Sequence, residues 1–478
     1  MMARSQFLAG LMKPVFLISL ISAGMLAGCG SVLQTPYQTP AASVPAAWSG
    51  NASGEAAASR SPWWQAFGDP QLDALIQRAL RSNNDLAVAG WKVRQAQLQA
   101  GLTATNLTPG VTAGVNGSLS KNLDGGPSTR SYAASVSLSY ELDLWGKLAR
   151  QRDVTAWEAT ATELDRQNTA LTLIGTTANL YWQIGYLNQR ISSSEQSIAY
   201  AERTYALVRS QHAAGASSGL DEVQSAQNLA IQRAALTTLL QQREEARNAL
   251  AILFDQNPQN RSPELPRLPQ GALPDVPADV PASVLGRRPD LQAAEARLRE
   301  SLANVDATRA SFYPAFSLTG SVGTSSSTLG DVLRDPLGTL GAGLTLPFIQ
   351  WNTTQLTIQV SQAQYQQAVV GFRQTLYSAL SDVENALSAR TQYLQEAQQR
   401  QLAFDYAVRA EKLSEARYRA GQTSVKDWLD QQESRRSADL SLAENRYNQL
   451  LNLMKLYQAL GGDTALNNPL PPLPVAVQ

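Results

Sequence analysis

Two long proline-free runs constrain the fold of this chain more than any other feature. No proline occurs between Ser128 and Asn257 or between Phe348 and Asn468, and a proline-rich segment separates the two runs. Because proline breaks helix interiors, both runs are free to form very long helices. Apolar residues recur every seven positions, as at Leu173, Leu180 and Leu187, which favours a coiled coil, although long amphipathic helices in a bundle would give the same spacing.

The two halves of the sequence repeat one another. Residues 85–109 match residues 290–314, and shorter blocks follow at a nearly constant offset, with 138–146 matching 344–352 and 213–223 matching 419–429. A constant offset over three separate blocks indicates an internal duplication.

Each half predicts the same order of elements: a helix, two strands with apolar residues at every second position, and a helical hairpin. An arm of nearly 70 residues would be on the order of 100 Å long at 1.5 Å per residue. The predicted helices lie at about 72–105 and 290–311, and the hairpin arms at about 146–214, 218–254, 352–420 and 424–460.

The only cysteine of the chain, Cys29, follows basic residues and an apolar run at about 15–26. This layout is typical of a secretory signal peptide, and the apolar run is too short for a helix that spans a membrane. The sequence LAGC at 26–29 resembles the bacterial lipobox, which predicts cleavage between Gly28 and Cys29 and lipid attachment to Cys29. By resemblance to bacterial lipoproteins, Gly30 directly after the cysteine favours the outer membrane over the inner membrane. The alternative is an ordinary signal peptide with a cysteine there by chance.

Composition argues against nucleic-acid binding and against catalysis. Lysine plus arginine and aspartate plus glutamate both number 39, so the net charge is zero. His212 is the only histidine, which leaves almost nothing for a histidine-based metal cluster or a Ser-His-Asp triad. No glycine-rich phosphate loop appears. The sequence therefore predicts a protein that is not an enzyme and has no cofactor or metal.

Four predicted strands are too few to close a membrane barrel, since the small bacterial outer-membrane barrels have about eight. An open sheet edge in hydrocarbon would leave backbone N–H and C=O groups unpaired. Three copies would together supply about twelve strands and six hairpins. The sequence therefore favours a membrane duct with a periplasmic tube that several copies build together.

Four ordered motifs carry a family resemblance over nearly the whole mature chain. Residues 63–86, 139–153, 273–298 and 416–432 resemble the entry motif, the strand-to-helix corner, the mid-chain signature and the hairpin tip of the TolC/OprM outer-membrane efflux proteins, in their NodT-like lipoprotein branch. The resemblance implies a mostly α-helical chain with a small membrane β-barrel portion. It implies a homotrimer with a twelve-stranded β-barrel and a twelve-helix periplasmic α-barrel.

The same resemblance implies a function. The chain would be the passive outer-membrane duct of a tripartite efflux pump of the RND type in a Gram-negative bacterium. Its partners would be a periplasmic adaptor, an inner-membrane transporter and outer-membrane lipid. Two alternatives remain open: the exit duct of a type I protein secretion system, and a lipid-anchored coiled-coil protein without a pore. A cell-wall hydrolase is disfavoured, because the sequence shows no recognisable active site.

The duplication acts as an internal control at the two hairpin tips. Ser218-x-x-Asp221 and Ser424-x-x-Asp427 occupy equivalent positions and match a helix-capping pattern, so Asp427 is either a cap or part of a gate. Asp430 has no acidic counterpart, because Gln224 occupies the equivalent position.

The hypothesis for the periplasmic gate rests on this asymmetry. Asp430 would hold the resting aperture closed with Arg417, Tyr418 and Arg419, through ion pairs and hydrogen bonds between helices. In a trimer each of these residues would form a ring of three around the pore. The alternative is that these are solvated surface charges.

The turns of the two hairpins are predicted to be the outermost periplasmic points. They contain Ala214-Gly215 and Ala420-Gly421, whose small side chains allow a partner hairpin to approach closely. We expect both turns to contact the adaptor.

Together these features divide the chain into six segments. They are a lipoprotein signal peptide (1–28), a lipidated extended tether (29–62), a first repeat (63–255), a proline-rich linker (256–288), a second repeat (289–460) and a C-terminal tail (461–478).

Overall fold

The computed structural model describes residues 33–43, 48, 62–274, 286–462 and 466. The predicted signal peptide, the cleavage site at Gly28 and the lipid site at Cys29 lie outside these residues. Contacts between Cα atoms divide the chain into two compact units, which we call the strand unit and the hairpin unit. The strand unit comprises Met1–Ala42, Lys92–Glu163 and Ala293–Gln374, and the hairpin unit comprises Ser43–Trp91, Leu164–Gln292 and Thr375–Gln478.

The described residues form seven α-helices and four strands, together with short 3-10 turns. In chain order these elements are α1 (Pro70–Ser82), α2 (Asn84–Thr105), β1 (Gly110–Ser120), β2 (Thr129–Leu142), α3 (Lys147–Ala213), α4 (Gly219–Leu253), α5 (Pro289–Ala310), β3 (Ala315–Ser326), β4 (Leu337–Thr345), α6 (Trp351–Arg419) and α7 (Val425–Ala459).

The two helical hairpins are confirmed. The long arms α3 and α6 contain 67 and 69 residues, and the return arms α4 and α7 contain 35 each. For all four arms, each predicted end lies one residue from the end that the structure shows. No described helix combines the length and the hydropathy needed to cross a membrane.

The predicted helix at 72–105 is wrong in one respect, because it is two helices separated at Asn83. The backbone of Asn83 is extended, with φ −71° and ψ 131°. Its side-chain oxygen accepts the N–H of Leu86 (3.0 Å), and its amide group donates to the carbonyl of Leu253 at the end of α4 (3.1 Å). Asparagine is favoured at such a cap because its short side chain replaces the missing backbone partner.

The strands of the strand unit form one antiparallel sheet in the order β1-β2-β3-β4. Their register places apolar residues opposite one another on a single face, as in Val111 opposite Leu138 and Val136 opposite Val322. This confirms the prediction from residues at every second position. The face is exposed within one chain: Leu340, for example, is 93% accessible.

The opposite face of the sheet consists mostly of small polar residues and glycine. On this face Gly341 lies opposite Thr319 and Gly343 lies opposite Ser317. A Cβ atom built on either glycine would lie within 2.8 Å of the facing hydroxyl oxygen. Glycine is therefore needed at both positions for the threonine and serine side chains to lie across the neighbouring strand. The sheet has one apolar and one hydrophilic surface.

A corner joins β2 to α3. The carboxylate of Asp143 accepts the N–H groups of Leu148 (2.9 Å) and Ala149 (2.8 Å), which caps the first turn of α3. Gly146 has φ +75°, a left-handed conformation that glycine adopts without strain. Trp145 donates its indole N–H to the carbonyl of Pro314, 2.7 Å away, just before β3. The strand-to-helix corner that the motif at 139–153 predicts is confirmed.

The described part of the tether packs on α5 in the strand unit. Thr35 donates its N–H and its hydroxyl to the carboxylate of Asp306, at 2.8 and 2.7 Å. Asp306 is only 2% exposed, so this segment satisfies a buried charge. The guanidinium of Arg299 lies 4.4 Å from the centre of the Tyr37 ring, which adds a cation–π contact.

Part of the predicted linker also packs tightly, against α3 and α4 of the hairpin unit. Leu268 is buried, and the side chain of Leu265 occupies the space that a Cβ on Gly185 would need. Arg247 forms two 2.7 Å hydrogen bonds to the carboxylate of Glu264. Paired bonds of this kind fix orientation as well as position.

The interruption at Asn83 gives a first prediction. Asn83→Ala should lower the free energy of unfolding by about 1–2 kcal/mol, because it removes the cap on α2 and the bond to Leu253. Asn84→Ala is the matched control, since it removes only an exposed bond to Asp255. Denaturant unfolding of the detergent-solubilised protein, followed by circular dichroism, measures both. Equal effects of the two substitutions would contradict the assignment.

Candidate functional site at the hairpin tips

The two hairpin tips have the same backbone geometry. Gly215 and Gly421 both have φ +73°. In the first tip the N–H of Gly215 donates to the carbonyl of His212 (2.9 Å), and that of Ala216 donates to Gln211 (2.8 Å). The equivalent bonds close the second tip at 2.9 Å each. This pattern ends a helix at a left-handed residue, which explains the glycine in both turns.

Both return arms begin with the predicted capping box. Asp427 accepts the N–H (3.1 Å) and the hydroxyl (3.0 Å) of Ser424, and its own N–H donates back to the serine oxygen (3.2 Å). Ser218 and Asp221 form the same arrangement in the first hairpin. The carboxylate of Asp427 is therefore engaged in the cap within its own chain.

Asp430 lies one turn further along α7 and has a local partner. Its carboxylate accepts a 2.5 Å hydrogen bond from the ammonium group of Lys426, and both side chains are more than half exposed. This hydrogen bond raises the pKa of Lys426. An exposed pair at this spacing contributes little to stability. Both charges remain accessible to groups outside the chain.

Tyr418 fixes the second tip to the first within one chain. Its hydroxyl donates to the side-chain oxygen of Gln211 at 2.5 Å. Its ring stacks on Trp428 with the centres 5.2 Å apart, and Trp428 meets Tyr200 of α3 edge-on at 6.1 Å. Val208 of α3 is fully buried in the same cluster. This apolar cluster joins the hairpins close to their tips.

Arg419 also has a partner within the second hairpin. It forms a 2.8 Å ion pair with Glu415, which also accepts the hydroxyl of Tyr200 at 2.9 Å. Burial, and then the bond to Glu415, raise the pKa of Tyr200. Arg417 is exposed. Asp430 thus lies on the same tip as Arg417, Tyr418 and Arg419, but its observed ion pair is with a different residue.

Sequence reasoning missed a second carboxylate near the tip. Glu411 is only 7% exposed and forms a 2.5 Å ion pair with Arg435 of α7. Burial raises the pKa of Glu411. The spacing of Glu411 and Glu415, one helical turn apart, was a visible signal, but Arg435 and Tyr200, which bind them, come from other helices. No group of three metal-binding side chains occurs within the ranges that the structure describes.

Comparisons with known proteins agree on one family. The family model described as "Outer membrane efflux protein" matches residues 75–254 and 280–462. Toxin and drug export protein A of Aggregatibacter actinomycetemcomitans is 31% identical over 405 residues, which cover 84% of this chain and 89% of that protein. Pyoverdine export outer membrane protein OpmQ of Pseudomonas aeruginosa is 33% identical over 460 residues, which cover 93% and 96%.

Solved structures give the same result for the fold. The open state of the Neisseria gonorrhoeae MtrE outer membrane channel superposes with a TM-score of 0.78 at 29% identity, over 91% of this chain and 98% of that one. These matches confirm the resemblance drawn from the motifs, the mostly α-helical fold with a small sheet, and an outer-membrane efflux component that is not an enzyme. The chain belongs to the outer membrane efflux protein family.

Proposed function

We propose that three copies of this chain form a passive duct through which a tripartite pump of the RND type exports small molecules from the periplasm. A periplasmic adaptor and an inner-membrane transporter would complete the pump and supply the energy. The names of the relatives, which include drug and pyoverdine export, support a small-molecule cargo.

The sheet is the observation that carries this proposal. It has an exposed apolar face, a face of small hydroxyl residues and glycine, and two edge strands, β1 and β4, with one neighbour each. In hydrocarbon, each unpaired backbone group would cost several kcal/mol. Pairing β4 of one copy with β1 of the next removes both edges and produces twelve strands from three copies. The apolar face would then contact lipid, and the polar face would line the lumen.

The lipid anchor is part of the same proposal. Acylation of Cys29 would hold the chain at the outer membrane. Thr35 is six residues from Cys29 and is bound to Asp306, so the acyl chains would lie within about 20 Å of Asp306 at about 3.5 Å per residue. The packed tether thus supports an anchor attached close to the strand unit.

The hairpin tips would supply the gate and the adaptor contact. The exposed pair of Asp430 and Lys426, with the exposed Arg417, would face the same residues of neighbouring copies around the axis. Tyr418 and Arg419 would hold the second tip in position through their bonds to Gln211 and Glu415. Asp427 would contribute to the gate indirectly, because its cap holds the first turn of α7 in place.

The turns themselves would contact the adaptor. Ala214, Gly215, Ala420 and Gly421 are all exposed, and a Cβ atom added to either glycine would meet no atom within 4 Å. A partner helix could therefore approach the backbone of both turns closely.

A polypeptide cargo is the second candidate, because one relative is named for toxin as well as drug export. Drug export and protein export can be compared in a strain that lacks this gene, before and after the gene is returned. Drug export is measured by the accumulation of a fluorescent drug in the cells, and protein export by the secretion of proteins into the medium. Restored drug export alone supports the leading proposal, whereas restored protein secretion alone supports the second.

The duct itself is tested with purified full-length protein. We expect a native mass of three chains and stepwise ion conductance in planar bilayers, because only pooled strands can close a pore. A monomeric mass together with absent conductance would contradict the proposal and would favour the structural coiled-coil alternative.

The gate assignment predicts a specific effect of Asp430. Asp430→Ala should raise the resting conductance, because it removes the acidic partner of the ion pairs between helices that would hold the aperture closed. Glu433→Ala is the matched control: Glu433 is an exposed acid of the same helix with its own local arginine partner, Arg436. If both variants conduct like the wild type, the gate assignment fails.

The adaptor contact predicts a steric effect at Gly421. Gly421→Asn should reduce crosslinking to the adaptor in cells, because asparagine tolerates the left-handed backbone but adds bulk at the turn. Gly68→Asn is the control, since Gly68 also has a left-handed backbone (φ +63°) with free space around its Cα. Undiminished crosslinking of the Gly421 variant would count against a contact there.

A further inference from the structure

A cleft of about 210 Å³ in the hairpin unit lies where three helices meet, and the proposed duct does not account for its lining. Two of these helices, α3 and α4, belong to the first hairpin, and α7 belongs to the second. We call it the arginine cleft, because Arg190 of α3 and Arg436 of α7 both line it. Hydroxyl, amide and apolar side chains form the rest of the lining, and none of the described lining residues is acidic.

Arg190 supplies a positive charge that no described residue neutralises. No carboxylate in the described ranges forms an ion pair with its guanidinium, and its Nε atom is buried without a hydrogen-bond partner. The guanidinium lies over the ring of Tyr186, 5.4 Å from the ring centre. Tyr186 is itself stacked on Tyr447 of α7, with the centres 5.1 Å apart and the planes at 2°. A guanidinium held against a ring in this way keeps the N–H groups at its edge for a planar anion.

Arg436, by contrast, already has a partner. It forms an ion pair with Glu433, three residues earlier on α7, and the side chain of Arg436 is 27% exposed. Two arginines and one glutamate leave one positive charge at the cleft. A charge that is partly withdrawn from water is costly unless an opposite charge balances it. A ligand with a single negative charge would balance the charge of Arg190.

The hydroxyl groups of the cleft are available for hydrogen bonding. Serine and threonine in a helix commonly donate to the carbonyl four residues earlier, as Thr169 (2.9 Å) and Thr177 (2.8 Å) of α3 do. The lining residues Ser193 and Ser194 of α3 and Thr238 of α4 differ, because their hydroxyls form no hydrogen bond with any other described residue. Three donors therefore accompany Arg190.

The remaining lining is apolar and limits the size of a ligand. Leu239 of α4 is buried, Leu440 of α7 is half-buried, and the exposed Ala235 leaves an opening. The volume is below the roughly 300–1,000 Å³ of sites for drug-sized ligands. The cleft therefore fits a molecule smaller than a typical drug, with an apolar body and an anionic end.

We propose that the arginine cleft binds a small organic anion that carries one carboxylate on an apolar body. The carboxylate would accept paired hydrogen bonds from the guanidinium of Arg190, the arrangement that a planar fork favours. The apolar body would contact Leu239 and Leu440. Because the ligand would touch α3 and α4 of the first hairpin and α7 of the second, it would stabilise the packing of the two hairpins.

Benzoate is the probe, because it has one carboxylate on an apolar ring. We expect millimolar benzoate to raise the thermal unfolding temperature of the full-length protein in a non-ionic detergent, with saturation, since a ligand of the folded state stabilises that state. Formate has the carboxylate without the ring, and benzyl alcohol has the ring without the charge. At constant ionic strength, an equal rise with either control compound, or no rise with benzoate, would overturn the proposal.

Arg190 is tested directly by calorimetric titration with benzoate. Arg190→Gln should weaken binding by about tenfold or more, because it removes the charge-assisted hydrogen bonds. Arg233→Gln is the matched control: it also removes one positive charge from the first hairpin, but Arg233 pairs with Glu202 outside the cleft. Equal affinity of the two variants would contradict the assignment of Arg190.

A second variant keeps the test decisive if Arg190→Gln does not fold. Ala235 is exposed, so Ala235→Phe should be tolerated, and its ring would fill the cleft while both arginines remain. We expect loss of benzoate binding, and retained binding would overturn the placement of the ligand.

The outcomes separate this inference from the proposed function, because binding in the cleft depends neither on the number of copies nor on conduction. An assembly of three copies that conducts ions but does not bind benzoate would overturn only the cleft. A monomeric protein that binds benzoate and does not conduct would overturn only the duct.

Discussion

The unpaired backbone at the two edges of a four-stranded sheet is the constraint on which the rest depends. A sheet with one apolar face is stable against lipid only when every N–H and C=O group at its edges is paired. The described residues of one chain do not provide those partners, because β1 and β4 are the terminal strands of their sheet. The other face carries small residues, with glycine opposite Thr319 and Ser317, and is the face that would line the lumen of the proposed duct. The proposed duct follows from this division of the sheet.

The helical hairpins solve a related problem by different means. Their long arms satisfy all internal backbone bonds, so they need no partner for hydrogen bonding, only for their apolar faces. Within a chain the Tyr418–Trp428–Tyr200 cluster joins the two hairpins. Apolar residues near the tips of α4 and α6, such as Leu220 and Leu413, remain exposed within one chain. Sheet and hairpins therefore both favour association with identical copies.

Much of this fold could be predicted from sequence because its signals are local. Proline placement set the limits of the long arms, and glycine with Ser-x-x-Asp located both tips to within a residue. The interruption at Asn83 was missed although its cap on Leu86 is local; its second bond, to Leu253, joins residues 170 positions apart. Partners drawn from distant helices explain the other omissions, including Glu411 with Arg435 and the packing of Thr35 on Asp306. At the candidate site, the type of residue was predicted, but the pairing of Asp430 with Lys426 was missed although their i,i+4 spacing on one helix is a local signal.

Hydrogen exchange of the assembled protein tests the shared sheet most directly. In the detergent-solubilised assembly, peptides that cover β1 (Gly110–Ser120) and β4 (Leu337–Thr345) should exchange as slowly as those of the inner strands β2 and β3. Such protection requires partners that the described part of a single chain does not supply. Fast exchange at alternate amides of β1 and β4, with β2 and β3 protected, would contradict the pairing of edges between copies.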